Sequence, residues 1–172
     1  MKGGIRMRSR ARVAGHAIHP MLITFPVGLL STAVIFDVLR LVTDRQSFAT
    51  TAAHMLAAGI IGGLVAAVFG LADWTKIPDG TRARRIGLYH AGGNVAVLVL
   101  FALSLLLRSR SGNWEPNGLA IALSFVGLAT AGLSSWLGGE LVERLGVGVD
   151  EDAGVNAPSS LRSSPTRPAG AR

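Results

Sequence analysis

Long apolar stretches alternate with short charged ones along most of this chain. Four stretches contain no Asp, Glu, Lys or Arg: 20–36 (17 residues), 46–72 (27), 86–107 (22) and 116–139 (24). A helix needs about 20 apolar residues to cross a hydrocarbon core of roughly 30 Å. The last three stretches meet that length alone, and the first meets it by running through Asp37 into Val38 and Leu39, which puts Asp37 near its far end. The pattern predicts an all-α, integral membrane four-helix bundle with short loops and spans at about 20–42, 50–72, 86–107 and 117–139. Residues 1–15 read as a basic tail. Residues 150–172, with Pro158, Pro165, Pro168, paired serines and scattered charge, read as a disordered tail that cannot bury a core.

Composition agrees with lipid as the solvent. Of 172 residues 49% are hydrophobic and only 16% charged, with a mean hydropathy of +0.45. The absence of cysteine removes disulfides, thiolate metal sites, covalent haem attachment and an in-chain iron–sulfur cluster. A formal charge of +7 suggests nucleic acid at first, but no basic stripe with interleaved aromatics accompanies it. The charge is better explained by topology. Lys2, Arg6, Arg8, Arg10 and Arg12 precede the first span, and Lys76, Arg82, Arg84 and Arg85 lie between the second and third. With the final segment these place 13 basic residues on the side of the termini, against 4 (Arg40, Arg45, Arg108, Arg110) on the other. The positive-inside rule therefore predicts a cell-membrane protein with both termini cytoplasmic. The first stretch continues as DVLRLVTD without a small-x-small site, so it reads as a span rather than a cleaved signal peptide.

Small residues recur at helix-packing spacings: Gly59 and Gly63, Gly63 and Ala67, Ala131 and Ser135, Ser135 and Gly139. They suit close approach of helices in lipid, where packing replaces the hydrophobic effect between spans. The glycines lie inside apolar helices rather than between a strand and a helix, so no nucleotide loop is read. No nucleophile–base motif is present either, and four short-looped helices offer a transport path only as a homo-oligomer.

Ionisable residues at membrane depth are where function is sought first. His19 precedes Asp37 by 18 residues and His54 precedes Asp73 by 19, a rise of about 27–29 Å at helical pitch. Antiparallel neighbours would then pair Asp73 with His19 on the inner face and Asp37 with His54 on the outer one. His90 opens the third helix with Asn94 one turn on, and Trp136 and Glu140 close the fourth, giving an inner cluster of His16, His19, Asp73, His90, Asn94 and Glu140. Four readings follow: mutual satisfaction of polar groups at helix ends; a b-type haem on His19 and His90, with Asn94 or Asp73 behind; a divalent metal on His19, Asp73, His90 and Glu140; or a proton relay. Asp44 and Glu115 read as loop residues, and Trp74 and Trp114 as interfacial anchors.

The segments HPMLITFPVGLL, HMLAAGIIGG, GLADW, YHAGGN and SWLGGELVERLGVGV resemble the bacterial membrane proteins grouped as the domain of unknown function 2231 family, over about residues 15–150. The ending is the most specific part, although the family usually has an aromatic and a basic or histidine residue near Glu143 and Arg144. The resemblance implies no assigned activity. Some relatives join a Rieske-type iron–sulfur domain to this membrane domain, which implies that haem or a separate redox or membrane partner is to be considered. The reading for this chain is a structural or accessory membrane subunit, with haem as the alternative.

Overall fold

The computed structural model describes residues 7–161 of the chain. Four helices long and apolar enough to span a bilayer are present. A short α1 (Ile18–Leu22) runs into α2 (Thr24–Thr43). The break at Ile23 lies where Pro26 removes the N–H that Leu22 would receive and crowds its carbonyl. α3 (Gln46–Trp74), α4 (Arg82–Ser109) and α5 (Gly118–Gly139) follow, and α5 ends in one π-helical turn, Glu140–Arg144. The turns are made by local chemistry. Asp44 caps α2 in the left-handed region at φ 57°, which a short polar side chain tolerates. Thr81 Oγ1 accepts from the Arg84 N–H at 3.1 Å to start α4, and Asn117 Oδ1 accepts from the Ala120 N–H at 2.8 Å to start α5.

Each helix turns Leu, Ile, Val and Phe outward, with Phe25, Val42, Val68 and Leu133 all more than 60% exposed. Water would not tolerate such a surface, whereas lipid does. The core is small: Leu30, Ala33, Val34, Leu56, Val97 and Phe101.

α2 packs mainly on α3 and α4 mainly on α5, so the bundle is two hairpins. The second hairpin repeats the first. Pro26, Leu30, Ala33 and Asp37, buried in α2, recur 71 residues later as Val97, Phe101, Ser104 and Arg108, buried in α4. Ala52, Leu56, Gly59 and Ala66 of α3 recur 68 residues later as Ala120, Ser124, Gly127 and Ser134 of α5. The contacts recur as well: a Cβ on Gly59 would meet Leu30 at 2.7 Å, and one on Gly127 would meet Phe101 at 3.0 Å. α2 and α4 run the same way, so this is a parallel repeat.

The end of the bundle that carries both termini is closed by residues 7–17, which form a strap. β1 (Arg12–Val13) and β2 (His16–Ala17) pair antiparallel around Ala14 and Gly15. Met7 bridges Val147, its N–H donating to Gly146 O at 3.0 Å and its carbonyl accepting from the Gly148 N–H at 2.7 Å. Gly146 and Gly148 take φ of 66° and 81°, values open to glycine and strained for other residues. The glycines of GVGV thus let the chain leave the π turn and run beside Met7. Residues 150–161 form turns and no regular element, and the remainder of the C-terminal tail lies outside the described residues.

Candidate functional site

The most deeply buried polar group is at the far end of the bundle, away from the termini. Asp37 and Arg108 are both fully buried. Arg108 Nη1 donates to Asp37 Oδ1 and Nη2 to Oδ2, each at 2.6 Å. Two serines complete the surroundings of the guanidinium: Nη2 also donates to Ser124 Oγ at 3.1 Å and Nε to Ser104 Oγ at 3.3 Å. Ser104 Oγ donates in turn to Ala120 O at 2.7 Å. A planar fork on a carboxylate is the strongest geometry for such a pair, and here it ties α2, α4 and α5 together.

This corrects two expectations. Arg108, counted from the sequence as a loop charge, lies inside the bundle. Asp37 does not pair with His54, which is exposed and turned back on its own helix, with Nδ1 on Thr50 O at 2.8 Å. The physical reason is helix rotation: the 18-residue spacing fixes depth along the axis, but it does not fix which side of α3 carries His54. The signal that was available is the same spacing in the second hairpin, where Arg108 follows His90 by 18 residues as Asp37 follows His19.

At the strap end the two repeated histidines sit in matching seats. His19 Nδ1 donates to Ala66 O at 2.8 Å, and its ring lies where a Cβ on Gly70 would be, 2.8 Å from Cε1. His90 Nδ1 donates to Ser134 O at 2.8 Å and faces Gly138, with 3.0 Å from the corresponding Cβ position to Cε1. A carbonyl only accepts, so each imidazole carries its proton on Nδ1. The Nε2 of His90 then accepts from the Asn94 amide at 3.0 Å.

The carboxylates of the expected inner cluster are engaged elsewhere. Asp73 does not reach His19. It receives Ser9 Oγ at 2.7 Å, the Arg10 N–H at 2.7 Å and the Ala11 N–H at 3.4 Å, and so anchors the strap. Glu140 receives Arg82 at 2.6 Å. His16 is exposed, with Nδ1 on Ala14 O at 3.1 Å. Among the described residues no three His, Asp or Glu side chains gather as a metal cluster. Trp74 is half-buried under Arg84, whose guanidinium carbon lies 3.6 Å from the ring centroid. Asp44 and Glu115 both pair with Arg40.

A second tie on the strap lies in water. Arg8 and Arg12 both donate to Asp150, at 2.9 and 2.6 Å, and the Arg12 bond holds the Asp150 carboxyl below the usual carboxylate range. A depressed folded value means that this contribution is complete above the unfolded pKa and is lost as pH falls through the folded one. We expect Asp73→Ala to raise hydrogen exchange at the Gly148 amide by at least tenfold at neutral pH, because it removes three bonds to a charged acceptor. In the otherwise unchanged chain, exchange corrected for its intrinsic rate should rise only on acidification past Asp150. Unaltered exchange in Asp73→Ala would show that the strap is held by something other than this carboxylate.

The family model described as "Predicted membrane protein (DUF2231)" matches residues 15–151. The chain belongs to that family. Neither a curated protein nor a solved structure matches it. The motifs that carried the resemblance now have geometric content. In GLADW the glycine seats His19 and the aspartate anchors the strap. In WLGGELVERLGVGV a glycine seats His90, the first glutamate takes Arg82 and the last two glycines dock Met7.

Proposed function

We propose that this DUF2231 protein is a structural or accessory subunit of the cell membrane, with both termini cytoplasmic, whose polar groups build the bundle rather than carry a reaction. The observation that supports this reading most is the satisfaction of those groups by one another. Asp37 is held by Arg108, His90 by Ser134 and Asn94, Asp73 by the strap and Glu140 by Arg82. No buried side-chain nitrogen or oxygen among the described residues lacks a partner. The orientation is supported by charge. With Arg108 inside the bundle, Arg40, Arg45 and Arg110 are the basic residues left at the far end among the described residues, against Arg8, Arg10, Arg12, Lys76, Arg82, Arg84, Arg85 and Arg144 at the strap end.

A b-type haem on His19 and His90 is the competing reading, favoured by two imidazoles whose Nδ1 protons sit on carbonyls as ligating histidines do. It requires both Nε2 lone pairs, and the Asn94 amide occupies one of them. The donor set as built therefore does not fit a bis-imidazole haem. A divalent metal or proton relay on His19, Asp73, His90 and Glu140 has less support, since the two carboxylates are turned to the strap and to Arg82.

Oxidised and reduced visible spectra, with elemental analysis, of protein purified after haem-supplemented expression decide between the readings. The accessory reading expects no Soret band and no stoichiometric metal. It also expects His90→Ala to cost about 1–3 kcal/mol of stability, the penalty for orphaning a buried partner, and His54→Ala to cost nothing measurable. A Soret band or bound metal that His19→Ala or His90→Ala abolishes would overturn it.

A further inference from the structure

We propose that the outward face of α4 near the strap end binds one anionic phospholipid, its phosphate on Arg85 and Tyr89 and an acyl chain in the notch at Gly92.

Arg85, Tyr89, Gly92 and Ala96 follow one another at helical spacing and are all exposed, so they share one lipid-facing stripe. Arg85 has no carboxylate partner. All ten Asp and Glu residues of the chain are among the described residues, and none of their ion pairs involves Arg85. It lies one turn into α4, at headgroup depth, with Lys76 and Arg144 as further unpaired cations at the same end of the bundle. Tyr89 is 63% exposed one turn deeper, with its hydroxyl free to snorkel toward the same phosphate. Below it the surface drops away: nothing lies within 4 Å of where a Gly92 Cβ would be, and Ala96 continues the hollow. Val99 and Leu103, 50% and 45% exposed, then line the path of a chain.

The repeat supplies the second argument. Where the second hairpin has Gly92 and Ala96, the first has Met21 and Phe25, both outward and 52% and 67% exposed. The helix interiors are copied between the hairpins, but this outer face is not. At the headgroup end the first hairpin has Ala14 and Ile18 where the second has Arg85 and Tyr89, so the polar pair above Gly92 is particular to the second hairpin. The partner chemistry follows from charge: an unpaired guanidinium at the headgroup level selects a phosphodiester without a compensating ammonium.

Native mass spectrometry of the full chain, released from vesicles of equal phosphatidylglycerol and phosphatidylcholine, tests this directly. The unaltered protein should retain one phosphatidylglycerol in preference to phosphatidylcholine. Arg85→Gln should lower that preference about fivefold, the effect of one cation near a headgroup, and Arg85→Lys should keep most of it. Gly92→Leu should lower retention of the lipid while sparing stability, since its side chain enters open space. Arg110→Gln removes an unpaired cation at the other end of the same helix and should change nothing. Equal losses in Arg85→Gln and Arg110→Gln would mean diffuse attraction and overturn the site. So would equal retention of both lipids, an unaffected Gly92→Leu, or displacement of the lipid by millimolar inorganic phosphate.

Discussion

Asp37→Ala and Arg108→Ala should each lower stability by about 3–5 kcal/mol, the measured range for removing one partner of a buried ion pair. The cost comes less from the lost attraction than from the charge left behind, fully buried and without water. The double change Asp37→Leu with Arg108→Leu should therefore lose much less than the sum of the two single ones. Replacing such pairs by apolar residues is often neutral or better, although here Ser104 and Ser124 lose a donor and keep only each other, at 2.9 Å, and Ala120 O. Reversal of the pair, Asp37→Arg with Arg108→Asp, should recover part of the loss and no more. An arginine at 37 would have Ala33 one turn back where Arg108 has Ser104, and Leu56 across from it where Arg108 has Ser124. Equilibrium unfolding in mixed micelles of these proteins, with the double variant Asp37→Ala and Arg108→Ala to close the cycle, tests this, and a double-alanine loss equal to the sum of the single losses would show that the two residues do not act as a pair.

The second large effect is expected at Gly59. A methyl there would stand 2.7 Å from Cγ and Cδ2 of Leu30, and Leu30 is itself 5% exposed in the core, so it has nowhere to go. Gly59→Ala should cost about 1–3 kcal/mol as overpacking. Adding Leu30→Ala should return a large part of that cost, because the space the methyl needs is the space the leucine vacates. The equivalent contact in the other hairpin, Gly127 against Phe101, begins at 3.0 Å, and Gly127→Ala should be the milder of the two. If Leu30→Ala fails to relieve Gly59→Ala in the same unfolding assay, the α2–α3 contact is not the source of the loss.

The spans were legible in the chain because lipid imposes a length and a hydropathy that few other environments demand. The helices run a few residues beyond the apolar stretches at most ends, since Arg82, Arg84 and Arg85 are accommodated within the first turn of α4 and Arg108 within the last of it. The small-residue spacings were half informative. Gly59 and Gly63 do admit neighbours, but two different ones, Leu30 of α2 and Leu98 of α4, while nothing approaches Gly139 and Ser135 is exposed. Which residues of a small-residue pattern face protein depends on helix rotation, and an apolar surface in lipid leaves no amphipathic stripe from which to read it. The histidines and acids were found, and so was Asn94 one turn beyond His90, but the other partners were not. Asp73 meets residues 9–11, more than 60 positions away, through backbone N–H groups that no sequence pattern displays. Arg108 was hidden by its position at the end of an apolar stretch, where a basic residue ordinarily marks the loop; only comparison of the two hairpins exposes it.

Membrane insertion proceeds from the N-terminus, and this gives the buried ion pair a consequence in time. The first hairpin carries Asp37 into the bilayer before Arg108 has been synthesised. Until then the carboxylate is unmatched, at a cost of up to about 2.5–3.5 kcal/mol for a charge near mid-span and less toward the interface. Two copies of the first hairpin from different chains could not relieve this, since they would bring acid against acid, and two copies of the second would oppose two guanidiniums. Only unlike hairpins match. The exchange of charge between the two halves thus favours the pairing of a first half with a second half over the pairing of two like halves.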